Sequence, residues 1–365
     1  MLKFPFERLD AFQGKSAAIK RPREITQFSF DEQHKHHLDQ RSLRYYYPPF
    51  VQVPYIPDKH RIDLSQGFET FSRHDDSVNL GLNPLLDTIR HYEEQNGAKL
   101  DADILTWRVA PFDFFGEYIE ENQAAKAAEL QASKDMNQRA NKSLDKMQFW
   151  GYKFETLATL PKQWQDCTRD EIEGRENEIV DNHAQYCSVV RTGIGNHSIV
   201  IGGEVDAVEG CKPDDPNEPI PYVELKTSED FHAGDNFAAK KFERKMLRFW
   251  AQSFLLGVPK VIIGFRSKDG HLQRLEEWKT LDIPSFVKNR GMRSWDGNIC
   301  INFAAAFLDF LKQHITGEGT WTIEQKKGEK QILLSKIADA YDKDIVPPRF
   351  REHRATFNFE SASKG

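Results

Sequence analysis

The chain is poor in the devices that staple small secreted domains. It has 4 cysteines in 365 residues, and Cys167, Cys187, Cys211 and Cys300 form no C-x-x-C pair. That excludes a disulfide framework and a cysteine zinc site, and it reads as ordinary thiols of a reducing compartment. No segment approaches the roughly 20 apolar residues that span a bilayer, and Met1-Leu2-Lys3-Phe4-Pro5-Phe6-Glu7 lacks the apolar centre of a secretion signal. A soluble intracellular protein with no membrane partner is expected. Positive charge is not in excess either, since the net charge is −6. A polyanionic partner would therefore need a local basic groove or a bound cation.

Between about residues 100 and 340 no Pro/Gly/Ser-rich linker interrupts the mixed strand and helix patterns. One domain over 1–365 is expected: an irregular wrap rich in His, Pro and Tyr over 1–100, a core over 100–345 and a poorly ordered tail over 353–365. Three local features carry little. The Gly193-Ile194-Gly195 run opens no phosphate-binding helix, and His34, His36 and His37 lack the helical pairing around a Glu that marks a zincin. The run Lys20-Arg21-Pro22-Arg23 has the composition of a nuclear-import signal and equally of a solvated basic turn.

What the chain does have is a set of acids in ordered places. Gly203-Glu204-Val205-Asp206 and Val223-Glu224-Leu225-Lys226 both alternate charge with aliphatics. On strands, Glu204 and Asp206 share one face, as do Glu224 and Lys226. Placed side by side as sequential antiparallel strands, they aim three carboxylates and an ammonium at one spot. Any half-exposed strand also alternates this way. Here, though, the flanks Ile199-Val200-Ile201-Gly202 and Pro221-Tyr222-Val223 are apolar or glycine, so the charges need a reason to be there. Hard cations such as Mg²⁺ or Mn²⁺ take carboxylate oxygens and act on phosphates. The order Asp206 then Glu224-x-Lys226 matches the D…(D/E)xK pattern of restriction-endonuclease-like nucleases.

Other elements fit around this pair. Asp103 to Trp107 reads as a strand ending at Arg108, Glu121 to Ala132 as helical, and Lys142 to Leu160 as a helix whose one unusual acid is Glu155. Asn236 to Leu256 reads as a helix with Lys241, Lys245, Arg248 and Gln252 at i, i+4, i+7 and i+11, a basic stripe that is either a solvated face or a groove wall. Its position just downstream of the acids favours phosphate contact. Lys260 to Arg266 reads as a further strand, and the region of Phe303 to Leu311 as a hydrophobic helix. The fold class is mixed α/β, with central mixed sheets flanked by helices.

Together Arg108, Gly151-Tyr152-Lys153-Phe154-Glu155, Glu204-Val205-Asp206, Glu224-Leu225-Lys226 and Gln252 resemble, in order, the motifs of the DXO-like decapping nucleases, most closely the fungal nuclear members. The resemblance implies hydrolysis at RNA 5′ ends: release of pyrophosphate from triphosphate ends, removal of incomplete or NAD caps and, in some members, 5′-to-3′ exonuclease activity. It implies one or two Mg²⁺ or Mn²⁺ held by Glu155, Glu204, Asp206, Glu224 and the Leu225 carbonyl. Lys226 and Gln252 would then attend the water, and Arg108 a substrate phosphate. It also implies a nuclear 5′-to-3′ exoribonuclease as partner and a nuclear location, or a cytoplasmic one for a paralogue. A non-catalytic RNA-end adaptor and a DNA nuclease with the same D…ExK core are the competing readings.

Overall fold

The computed structural model describes residues 1–6, 8–49, 62–75, 80–108, 134–326 and 328–362, with side chains omitted over 134–143 and 357–362. Among the described residues the strands form three sheets. The first, in the order β3-β2-β7-β8-β5, comprises His36–His37, Ile19–Phe30, Gln185–Ile194, His197–Glu204 and Ile104–Trp107. The second, in the order β12-β11-β10-β9-β4-β6, comprises Leu272–Lys279, Lys260–Arg266, Tyr222–Glu229, Ala207–Val208, Tyr45–Tyr46 and Thr159–Leu160. The third pairs β1 (Leu2–Pro5) and β13 (Thr320–Glu324) on either side of β14 (Gln331–Ala338). The helices are α1 (Asn83–Asn96), α2 (Lys134–Ala158), α3 (Arg169–Glu173), α4 (Asn236–Leu256), α5 (Ile283–Asn289), α6 (Gly297–His314) and α7 (Pro348–Ala362).

The hairpin β7–β8 turns through Gly195-Asn196, with Gly195 at φ +60°. A two-residue connection needs that left-handed first position, which glycine adopts without strain. Beyond the turn, Ile199, Ile201 and Val205 pack with Met246, Leu247 and Trp250 of α4 and with Val261, Ile263 and Phe265 of β11. On the opposite face of the second sheet, Phe149, Trp150 and Phe154 of α2 bury against Val223, Leu225 and Ile262. The second sheet is thus sandwiched between α2 and α4. Gly264 permits the approach of α2, because a Cβ there would lie 2.8 Å from the Phe154 ring.

Four sequence expectations change. Residues 1–100 are not an irregular wrap: β2 is a 12-residue strand paired along β7, and α1 is a 14-residue helix. Two register shifts and the charged Lys20–Glu24 stretch hide the alternation of β2; the basic run Lys20-Arg21-Pro22-Arg23 is a bulged stretch of this strand with Lys20, Arg21 and Arg23 exposed, not a turn. Helix α2 begins at Lys134, before Lys142, while the helical reading of Glu121 to Ala132 falls outside the described residues. The region from His353 is not a loose tail as far as Ala362, because α7 docks there. Buried Glu93 holds it, accepting from Arg354 at 2.8 Å and facing His353 at 3.0 Å.

The fourth change concerns the acids. Strand β8 stops at Glu204, and the chain then changes sheets through Val205 and Asp206, entering β9. Glu204 and Asp206 therefore do not share one strand, and β8 does not lie beside β10. Only Ala207 and Val208 pair antiparallel with β10, opposite Val223 and Tyr222. The edge of β10 is open beyond Val223, and that opening is where the acids meet.

Candidate active site

Strands β5 and β8 run parallel, so their C-terminal ends coincide. Arg108 leaves β5 there, its N–H donating to the Gly202 carbonyl at 2.8 Å. Gly203 has no room for a side chain, since a Cβ would lie 2.8 Å from Arg108 Cβ and 2.6 Å from Leu256 Cδ1. The absence of that atom lets the arginine turn inward. Its Nη1 donates to the Glu204 carbonyl at 2.8 Å and to Glu224 Oε2 at 2.9 Å.

Glu224 is fully buried between two cations, with Lys226 Nζ 2.6 Å from its other oxygen, Oε1. Lys226 also faces Asp206 Oδ2 at 3.7 Å. The same Asp206 oxygen accepts the Leu225 N–H at 2.6 Å, on the edge of β10 that β9 leaves open. Because the N–H and C=O of one strand residue point to the same edge, the Leu225 carbonyl is directed there too. Glu155 completes the group from α2. A cavity of about 240 Å³ is lined by Arg108, Gln148, Gly151, Tyr152, Glu155, Glu204, Asp206 and Lys226.

The electrostatics of this cavity are unbalanced. Burial, then Asp206 and Glu204, push the Glu155 carboxyl well above the usual range. Burial, then Asp206, push Glu204 up to about 7. Asp206 is raised by burial and Glu224. Glu224 alone is lowered: burial opposes its charge, but Arg108 and Lys226 outweigh it. Lys226 is raised, Asp206 and Glu224 overcoming burial. With all four carboxylates ionised, the two cations leave a formal excess of two negative charges, which raises three of the four pKa values and which one divalent cation would cancel. Glu224 Oε1 is buried, and among the described residues its close partner is the Lys226 ammonium. Among the described residues no three such ligands are already closed around a point. The donor set nevertheless fits a hard cation in chemistry and in charge.

The sequence-predicted residues divide accordingly. Arg108, Glu155, Glu204, Asp206, Glu224, Leu225 and Lys226 converge. Gln252 does not line the cavity; it is half-buried on α4, one turn before the Leu256 that touches Gly203. Lys245 lies 3.5 Å from Ser228 Oγ, and Ser228 shares the β10 face of Glu224 and Lys226. Burial, then Arg266 and Lys241, pull the Lys245 ammonium down to about 8. Lys241 and Arg248 are exposed on the same helix. Gln148 and Tyr152 are the lining residues that the motif reading left unassigned; their i, i+4 and i+7 spacing to Glu155 is the signal that could have found them. Lys153, inside the same motif, points away, buried with Nζ donating to the Glu176 carbonyl at 2.6 Å.

A larger cavity of about 950 Å³ lies elsewhere, lined in part by Pro22, Lys212, Pro219 and Tyr222. Its polar floor is internally satisfied: Glu24 takes Lys212, Ser188 and Tyr222 at 2.6 Å each. Size alone therefore does not mark the chemistry.

The chain is similar to known proteins of one family. The family model described as RAI1 like PD-(D/E)XK nuclease matches residues 20–110 and 115–351. The protein named decapping nuclease RAI1 from Emericella nidulans is 46% identical over 364 residues, spanning 97% of this chain and 98% of its own. The crystal structure of Candida albicans Rai1 in complex with pU5 and Mn²⁺ superposes with a TM-score of 0.80 at 27% identity, covering 98% of this chain and 100% of that one. Scheffersomyces stipitis Rai1 in complex with (3′-NADP)⁺ and calcium gives a TM-score of 0.80 at 26% identity, covering 94% and 98%.

Proposed function

The chain belongs to the RAI1-like family of PD-(D/E)XK nucleases, a hydrolase that uses a divalent cation, and from that membership we propose that it clears defective RNA 5′ ends. It releases pyrophosphate from 5′-triphosphate RNA and removes incomplete and NAD caps. The observation that carries this reading is the convergence of four carboxylates beside Arg108 and Lys226. Such a pocket holds a metal and a phosphate together, and the pU5–Mn²⁺ and (3′-NADP)⁺ complexes of the two relatives are of that chemical class.

The roles follow from charge and position. Glu155, Glu204, Asp206, Glu224 and the Leu225 carbonyl hold the cation, and what Mg²⁺ or Mn²⁺ supplies there is a polarised phosphoryl oxygen and an acidified water. Lys226 stays charged through neutral pH, so it orients the water and stabilises the charge that develops on phosphate; it is not a base. Arg108 spends only Nη1 on Glu204 and Glu224 among the described contacts, leaving the rest of its fork to grip a substrate phosphate.

The RNA body runs along Lys241, Lys245 and Arg248. A crowded ammonium held near 8 gains most from a phosphate neighbour. Replacing the three with alanine is expected to weaken RNA binding without sequence preference and to flatten the salt dependence of log K by about 0.7 per lost single-strand phosphate contact. An unchanged slope in filter-binding titrations at several salt concentrations would make the stripe a solvated face.

Purified protein assayed on matched 5′-triphosphate RNA and DNA, with Mn²⁺ or with EDTA, tests the reading. Hydrolysis of RNA alone, abolished by EDTA, supports it. Comparable DNA cleavage points to a DNA nuclease, and binding without turnover to an adaptor. On the same reading the protein works in the nucleus with a nuclear 5′-to-3′ exoribonuclease, bound through a surface apart from the cavity. Co-purification with that exoribonuclease is expected to survive the Glu204→Ala, Asp206→Ala double substitution. Loss of binding by a variant with a native circular dichroism spectrum would put interface and cavity together.

A further inference from the structure

The first two sheets meet at Glu204-Val205-Asp206, and a polar link joins them one strand step from the catalytic cavity, outside its lining. Tyr186 of β7 and Tyr222 of β10 belong to different sheets, and both are buried. Their hydroxyl oxygens stand 2.8 Å apart. Each is also tied to the catalytic acids through its backbone. The Tyr186 carbonyl accepts the Val205 N–H at 3.0 Å, between Glu204 and Asp206. Tyr222 lies opposite Val208 of β9 and two residues before Glu224 on β10, so the Tyr222 and Glu224 side chains share a face.

Proton by proton, the link closes on itself. Lys212 Nζ can only donate, and it stands 2.9 Å from the Tyr186 oxygen and 2.6 Å from Glu24 Oε1. Glu24 Oε2 accepts from the Tyr222 and Ser188 hydroxyls, at 2.6 Å each. Because the Tyr222 proton points to Glu24, the bond between the phenols runs from the Tyr186 O–H to the Tyr222 oxygen. The ring passes from Lys212 to Tyr186, Tyr222, Glu24 and back, each bond polarising the next. Lys212 comes from the connection between β9 and β10, and Glu24 from β2. The ring therefore gathers both sheets and the segment that separates Asp206 from Glu224.

Stability alone does not call for such a ring. Two phenylalanines would fill the same space against Val205 and Val208 without burying polar groups. What the phenols add is a fixed length, since an O–H···O bond holds over a narrow range of distance whereas apolar surfaces can slide. Among the described residues the ladders on either side stop short: β8 ends at Glu204, and β9 pairs with β10 no further than Ala207 opposite Val223. We propose that Tyr186 and Tyr222, locked by Glu24 and Lys212, are positioning residues that fix the gap between the sheets and with it the separation of Asp206 from Glu224 in the metal site. This rests on the reading of those acids as metal ligands and adds the device that holds them at a cation's spacing.

Tyr222→Phe and Tyr186→Phe are compared with Thr192→Val, which deletes another buried hydroxyl bond, from Thr192 to the Lys20 carbonyl, but within the first sheet alone. Mn²⁺ affinity is measured by isothermal titration calorimetry on the folded proteins, and amide exchange by mass spectrometry in EDTA. Either tyrosine variant is expected to bind Mn²⁺ about tenfold more weakly and to exchange faster in the peptides that contain Val205 and Leu225, while Thr192→Val keeps the wild-type affinity. The double tyrosine variant should be no weaker than the single ones, because the pair acts as a unit. Affinity within twofold of wild type in both tyrosine variants overturns the proposal, and so does an equal loss in Thr192→Val. Should Tyr222→Phe fail to fold, Tyr186→Phe, which keeps the bond from Tyr222 to Glu24, decides alone. If the wild type binds no Mn²⁺, or Asp206→Asn binds it equally well, the metal reading of the acids has failed instead, and exchange then decides the clamp. Acceleration confined to the Val205 and Leu225 peptides supports it, and uniform or absent acceleration overturns it.

Discussion

Asp206→Asn is expected to lower hydrolysis of 5′-triphosphate RNA by about a thousandfold or more, with the thermal melt of the metal-free protein little changed. The size follows from the oxygen it removes. Asp206 is where the two sheets meet, and its charge stands beside Lys226 and the open edge of β10. Asparagine keeps a carbonyl oxygen for the Leu225 N–H but lacks the anionic charge a hard cation requires. Alanine is the poorer probe, because it also strands that N–H. Turnover of Asp206→Asn within tenfold of wild type in saturating Mn²⁺ would remove Asp206 from the metal site.

Glu224→Gln and Glu204→Gln are expected to move the stability of the metal-free protein in opposite directions. Glu224 is the counter-charge of both Arg108 and Lys226, and its loss leaves two buried cations without their main partner, a change that costs about 3 kcal/mol or more. Glu204 is repelled by its neighbours, so neutralising it relieves the cluster. The pH dependence follows with a definite sign. Glu155, Glu204 and Asp206 have folded pKa values above their unfolded ones, so the folded chain holds more protons. Their contribution is fully present below the unfolded carboxylate range and is lost as pH rises towards and past about 7, where Glu204 ionises. Thermal melts in EDTA should therefore fall between pH 5.5 and 8. Mn²⁺ should raise them more at pH 8 than at pH 6, since each tenfold gain in affinity for the cation adds about 1.4 kcal/mol. Equal stabilisation by Mn²⁺ at both values would mean that the cluster is not the binding site.

Much of the site was legible because strand alternation and helical spacing are local properties. Glu224 and Lys226 share a face through Leu225, and Glu155 stands out as the acid of an otherwise packing segment. The sheet change between Glu204 and Asp206 was not legible, since nothing in Glu204-Val205-Asp206 distinguishes a continued strand from one that crosses to a second sheet. Nor could Arg108 be foreseen as the partner of Glu224, 116 residues on. The order within residues 1–100 was obscured in the same way: β2 is bulged at two places and charged over Lys20–Glu24, and its regularity comes from its neighbour β7. Glu93, which anchors α7, lies 260 residues before His353. Pairings over such separations leave no periodic trace.

The crossing at Val205 also bears on how the chain comes to be active. Glu204 is set by pairing within the first sheet, Glu224 and Lys226 by pairing within the second, and Arg108 by a strand that joins only when β5 meets β8. None of these units alone assembles the carboxylates around a common point. A chain with one sheet formed and the other open thus has no competent hydrolytic centre, and the recovery of activity during refolding should be the last signal to return, after far-ultraviolet circular dichroism.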